Sequence, residues 1–217
     1  MLSTLIERIH SGEMVEPDGL IEYFDRGDSA LELRIQLRDY EYPHVLERWR
    51  VYCAAPREFR IVPEPGLIAA FNETHSAVRQ FVDGHVDLFF SGMADPPERV
   101  IEGLRQAHQR IAGHWVPFDR YLNKMSLTDL FKSGSGKIFS GPRFLAREYE
   151  PILRGAGLDV SRIPDEPPAV AHATTTLQML QVGESYVIAD DFLAELIPSP
   201  HAAAQQTVAA DGASRRR

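Results

Sequence analysis

The stretch "ALELRIQLR", Ala30 to Arg38, decides how this chain is built. Leu31, Leu33, Ile35 and Leu37 alternate with Glu32, Arg34, Gln36 and Arg38. Successive side chains of a strand point to opposite faces, so the stretch reads as a strand with one dry and one wet side. After "YEYPH", whose Pro43 cannot donate to a ladder, the alternation resumes in "LERWRVYCA". There Trp49, Val51 and Cys53 fall on one side and Arg48, Arg50 and Tyr52 on the other. "EFRIV" and "LIAAF", separated by the turn "PEPG", are shorter strands, and "HVDLFFSG" sets Val86, Leu88 and Phe90 against His85, Asp87 and Phe89. Short links between successive strands predict an antiparallel meander.

Around this core of strands the period changes. Leu2, Leu5, Ile6 and Ile9 recur at helical spacing before Gly12, and "GEMVEPDGL" after them reads as a loop. "ADPPERVIEGLRQAHQRIAGHW" predicts a helix with Asp95 as N-cap, Glu98 completing a capping box, and Ile101, Leu104, His108, Ile111 and Trp115 on one face. "SLTDLF" is a short helix capped by Ser126, and "GPRFLAREYE" another, which Pro151 should kink or end. "RIPDEPPAV" is a proline-rich connector, "TTTLQMLQ" and "SYVIA" form a hairpin around "VGES", and Asp190 or Asp191 caps a last helix through Ile197. Strands first and helices after predict an α+β fold: an antiparallel meander in the N-terminal half, packed on its Leu31/Leu33/Ile35/Leu37 face by helices from the C-terminal half. A single domain is expected over residues 1–197. Residues 198–217, rich in Ala, Gln, Ser and Gly and ending in Arg215, Arg216 and Arg217, are expected to be a disordered tail.

The totals narrow the function. With 217 residues and 44% hydrophobic content the chain can bury a core without staples. The formal charge of −8 opposes general affinity for nucleic acid or anionic membrane. Cys53 is the only cysteine, which rules out an internal disulfide and a multi-cysteine zinc site; with Trp49 and Val51 it should be inert packing. The N-terminus lacks a basic segment followed by an apolar run, and no apolar run is long enough for a bilayer, so a cytoplasmic protein is expected.

"FKSGSGKIFSGP", Phe131 to Pro142, invites a phosphate-loop reading. A Walker A loop needs a glycine where Phe131 stands and a hydroxyl where Ile138 stands, so it fails at two defining positions. The stretch reads as a turn between helices with Lys137 solvated, leaving only an anion role for amides near Ser140 and Gly141 at a helix start. A second constellation is Glu73, His75, His85 and Asp87: on neighbouring strands two imidazoles and two carboxylates would suit zinc, iron or manganese and a metal-assisted enzyme. Their plainer reading is a solvated rim. His108, on an apolar helix face, is expected to be a satisfied core histidine rather than a general base.

The most distinctive feature is the wet face. Alternation gathers Arg34, Arg38, Arg48, Arg50 and Tyr52 on one exterior, with Arg60 joining from the third strand: five arginines in an acidic protein. Guanidinium forks suit carboxylate recognition, while Glu32, Glu41, Glu47 and Glu58 are the in-chain carboxylates that would neutralise them. The expected function is a non-enzymatic binding protein engaging an acidic protein partner, or itself, through this face, with Tyr40, Tyr42 and Tyr52 as anchors. No cofactor is indicated.

Overall fold

A computed structural model describes residues 4–11, 18–38, 45–164 and 177–198. In chain order these form α1 (Thr4–Ser11), β1 (Asp18–Arg26), β2 (Ala30–Arg38), β3 (Val45–Ala54), β4 (Glu58–Arg60), β5 (Gly66–Phe71), α2 (Ser76–Val82), β6 (His85–Ser91) and α3 (Pro97–Ala112). There follow α4 (Leu127–Lys132), β7 (Ser135–Pro142), α5 (Arg143–Gly155), β8 (Asp159–Pro164), β9 (Gln178–Val182), β10 (Ser185–Ala189) and β11 (Asp191–Ile197). The fold is mixed α+β and its strand pairings are antiparallel. The chain divides into two compact units, Met1–Asn72 with Thr175–Arg217, and Glu73–Thr174, whereas the sequence reads as one domain through residue 197.

The first unit holds eight strands in the order β11-β3-β2-β1-β5-β9-β10-β4. They form two four-stranded layers, β11-β3-β2-β1 and β5-β9-β10-β4, around one core. Leu31, Leu33, Ile35 and Leu37 of β2 meet Trp49, Val51 and Cys53 of β3, Phe192 and Ala194 of β11, Leu180 and Val182 of β9, Val187 and Ala189 of β10, and Leu5 and Ile6 of α1. The dry face of "ALELRIQLR" is therefore covered by α1 and by strands of this same unit. The helices of the C-terminal half, expected to cover it, instead share a core with β6, β7 and β8.

Two corners join the layers. At one, β1 touches β5 only through Asp18↔Leu67 and Gly19↔Gly66. A Cβ on Gly66 would lie 2.4 Å from the Gly183 Cα, so this close approach requires glycine. At the other, β3 runs into β4 through Ala55, whose φ of 46° lies in the left-handed region, while β10 runs into β11 through Asp190. The Arg57 guanidinium grips the Asp190 carboxylate here with contacts of 3.0 and 3.1 Å.

Several elements differ from the sequence expectation for physical reasons. Asp191–Ile197 is a strand, not a helix: it forms an uninterrupted ladder with β3, from Asp191↔Ala54 to Ile197↔Arg48, and this pairing overrides the helix preference of its Ala, Leu and Glu residues. Asp18–Leu20, expected to be loop, open β1. β4 and β5 are not partners of one another; β4 pairs with β10, and β5 with β9 and β1, so the meander is confined to β1-β2-β3. The expected hairpin around "VGES" is present, with Ser185 opposite Val182 and Gly183 at φ 57°.

In the second unit α5 lies on a three-stranded sheet, β7-β6-β8, and α3 packs against α5. Val86, Leu88 and Phe90 face inward as the alternation requires, onto Leu104, Phe144, Leu145, Tyr149 and Leu153. The N-cap of α3 is Pro96, with no side-chain cap bond, so the capping box on Asp95 does not form. α5 passes through Pro151 and continues to Gly155. Pro151 and Arg147, whose carbonyl loses its helical donor, are both exposed.

Candidate functional site

The outer surface of the first layer carries the predicted arginines, and its strand register arranges them in rows. One row runs Tyr23–Arg34–Arg50–Glu195 across β1, β2, β3 and β11; its neighbours run Leu20–Gln36–Arg48–Ile197 and Asp25–Glu32–Tyr52–Leu193. Arg34 and Arg50 are direct cross-strand partners. Like charges in that relation repel, and the local answer is Glu32, whose Oε1 lies 3.5 Å from the Nε atoms of both. Glu195 approaches Arg50 at 3.6 Å, and Glu22 approaches Arg48 at 3.7 Å. Arg34 also stacks over Tyr23, 4.7 Å from the ring centroid, with nearly half of both side chains in solvent.

These are loose ion pairs. The buried Nε of Arg50 has no hydrogen-bond acceptor among the described residues, although two carboxylates stand within 3.6 Å of its guanidinium. A buried donor left in this state costs about 1–3 kcal/mol. Arg38 lies at the rim, donating to the Gln36 Oε1 at 3.1 and 3.3 Å. Arg60 does not belong to this surface: it is exposed on β4 in the other layer, opposite Tyr186. Tyr52 takes its place opposite Glu32 and Leu193, while Tyr40 and Tyr42 lie outside the described residues.

The carboxylates are distributed otherwise than the sequence suggests. Of the expected neutralisers among the described residues, Glu32 alone lies among the arginines. Glu47 shares the inward side of β3 with Trp49, pairing with Arg8 at 3.1 Å and accepting the Trp49 indole N–H at 2.8 Å. Glu58 accepts the Tyr186 hydroxyl at 2.7 Å in the other layer, and Glu41 lies outside the described residues. Glu22 and Glu195 are the partners that sequence reasoning missed. Glu22 enters through a register shift between Ile21 and Tyr23, and Glu195 enters because β11 is a strand.

The metal constellation does not assemble. Glu73 is an exposed turn residue. His75 caps α2, its Nδ1 accepting the Ala77 N–H at 3.3 Å, so this pair stands on a turn and a helix rather than a strand. His85 is exposed at the start of β6 in a T-shaped contact with the Tyr121 ring, and Asp87 is paired with Lys137 at 3.3 Å. Among the described residues no group of three or more His, Cys, Asp or Glu side chains could hold a metal ion. Burial, and secondarily the neighbouring His114, hold the His75 imidazole below its usual value.

The Gly-Ser-Gly-Lys stretch is a strand, not a turn between helices. After a tight turn at Gly134 (φ 80°), β7 pairs along β6, which gives Lys137 its Asp87 partner. The amides suggested for anion binding are occupied: Ser140 N–H donates to Tyr121 O, Arg143 N–H to Gly84 O and Phe144 N–H to the Asp83 carboxylate. Asp83 thus supplies the negative charge favoured at the α5 N-terminus. His108 is the satisfied core histidine expected. Its Nε2 lies 2.6 Å from the Val116 carbonyl and its Nδ1 2.7 Å from the Tyr149 hydroxyl, in the unit's interior. Burial pushes the Cys53 thiol up to about 12, as for an inert packing residue. No helix among the described residues is long and apolar enough to cross a membrane. No protein-family model, curated protein or solved structure matches this chain.

Proposed function

We propose that this protein is a non-enzymatic binding protein, and that the outer face of β1-β2-β3-β11 engages an acidic segment of a protein partner. One observation carries the reading: Arg34 and Arg50 oppose each other directly, with Arg48 in the next row, and their in-chain carboxylates stand at 3.5–3.7 Å. Opposed guanidinium groups destabilise a sheet surface unless carboxylates join them. An incoming carboxylate between them would relieve that repulsion with charge-assisted, bidentate contacts. Tyr23 and Tyr52 beside them supply ring surface of the kind that anchors interfaces.

In a pull-down against the partner pool of the source cell, R34E/R48E/R50E should lose the captured protein while keeping its far-UV circular dichroism. Sedimentation of the purified chain separates an external partner from a second copy. Recovery unchanged by the triple reversal would overturn the proposal.

A further inference from the structure

We infer that the outer edge of β11 is a strand-addition site for an extended peptide segment carrying a cation between two apolar residues. Sheet edges expose unpaired backbone donors and acceptors, and proteins ordinarily blunt them. Each of the other open edges here is blunted by a recognisable device. β4 has three residues and is bracketed by Pro56 and Pro63. β1, beyond its short contact with β5, carries a register shift and the charges of Glu22, Asp25 and Arg26. The open side of β7 is bridged at Leu122↔Phe139 and takes hydrogen bonds from Asn123 and to Tyr121. β8 ends in Pro164, and the Arg154 side chain donates to its Val160 carbonyl at 2.8 Å.

β11 is blunted less than these, although it carries Asp191 and Glu195, is followed by Pro198 and is touched by α1. It has seven residues in unbroken register with β3, contains no proline, lysine or arginine, and has no bulge; among the described residues no strand pairs with its other side. Its outward side chains are Leu193, Glu195 and Ile197. Leu193 is 36% exposed and Leu196, near the end, 48%. The Glu195 side chain is 58% exposed, and among the described residues its ion-pair partner is Arg50 at 3.6 Å.

Charge complementarity chooses the occupant. A strand laid against β11 places one outward residue opposite Glu195, where Lys or Arg pairs with it, and two others opposite Leu193 and Ile197, where apolar side chains pack. A second copy of β11 fits poorly. Antiparallel pairing about Ala194 sets Leu193 against Glu195; about Leu193 it sets Asp191 against Glu195; about Glu195 it sets that carboxylate against itself.

This inference goes beyond the arginine face and stands or falls without it. The test uses two labelled heptapeptides, Thr-Val-Thr-Lys-Thr-Val-Thr and the same sequence with Glu for Lys, titrated with the full chain by fluorescence anisotropy. The lysine peptide should bind at least tenfold more tightly. Glu195→Lys should reverse that order, and because Glu195 is exposed the variant should fold. Leu193→Lys should weaken both peptides. Equal affinities, no binding of either peptide, an order unchanged by Glu195→Lys, or a dimer in sedimentation that Leu193→Lys dissolves would each overturn it.

Discussion

Replacing His108 with leucine should destabilise the second unit by about 4 kcal/mol, and the structure says how that cost divides. The Val116 carbonyl has no proton to give, so the Nε2 that meets it at 2.6 Å must be the protonated nitrogen. Nδ1 is then the acceptor for the Tyr149 hydroxyl at 2.7 Å. His108, Tyr149 and Val116 are each no more than 3% exposed, so water cannot replace either bond. Leucine fills the space and strands both the hydroxyl and the carbonyl, at about 1–3 kcal/mol for each buried unsatisfied group. In H108L/Y149F only the carbonyl is stranded. The double variant should therefore be more stable than H108L by about 1–2 kcal/mol, although it carries one substitution more. The protein has two tryptophans, Trp49 in the core of the first unit and Trp115 in the second. Urea unfolding followed by Trp115 fluorescence in a Trp49→Phe background isolates the relevant unit. The reasoning is refuted if H108L lies within about 0.5 kcal/mol of its parent, the range of an ordinary surface substitution, or if the two substitutions simply add.

Three further outcomes follow from other parts of the molecule. Ala55 occupies a left-handed conformation at the corner between β3 and β4, so Ala55→Gly should raise stability by about 1 kcal/mol, read as a higher thermal midpoint; a lower midpoint would mean that the corner is unstrained. His75 caps α2 through a nitrogen that must be unprotonated, and its titration is held below the usual 6.5, first by burial and then by His114. The stability it contributes is therefore complete above pH 6.5 and is lost as the pH falls through the lower folded value; His75→Asn, which caps without titrating, should flatten that part of the pH–stability curve, and an unchanged curve would contradict the assignment. Cys53, with its thiol pushed up to about 12 in the core, should resist iodoacetamide at neutral pH and react only in urea, and rapid labelling of the folded chain would show that the first unit opens there.

The strength of the sequence signal decided what could be read from it. Strict alternation with β-branched and long aliphatic residues fixed the inward and outward sides of β2, β3 and β6, because a one-residue error would place leucines in water. His108 was legible as core because its neighbours repeat at helical spacing. β11 was not legible: "DDFLAELI" has helix-forming residues and acidic cap candidates, and only the open side of β3, distant in sequence, makes it a strand. The arginine surface was visible up to Arg50, but Arg60 failed because the chain turns a corner at Ala55, and no local pattern reports a corner. Its counter-charges were half hidden for related reasons. Glu22 is brought in by a register shift, Glu195 by a pairing of remote segments, and Glu47 is drawn inward by Arg8. The His and carboxylate cluster does not assemble because spacing that suits a strand falls where His75 begins a helix.

The most direct test of the arginine-face account is the affinity of a short labelled glutamate-rich peptide for the intact chain and for R34E/R48E/R50E, measured at low and high salt. Exposed charge pairs contribute up to about 1 kcal/mol each, so three reversals should weaken binding by about a hundredfold, and salt should erode the affinity of the parent but not the residual affinity of the variant. Equal affinity of parent and variant, or binding that does not respond to salt, would contradict it.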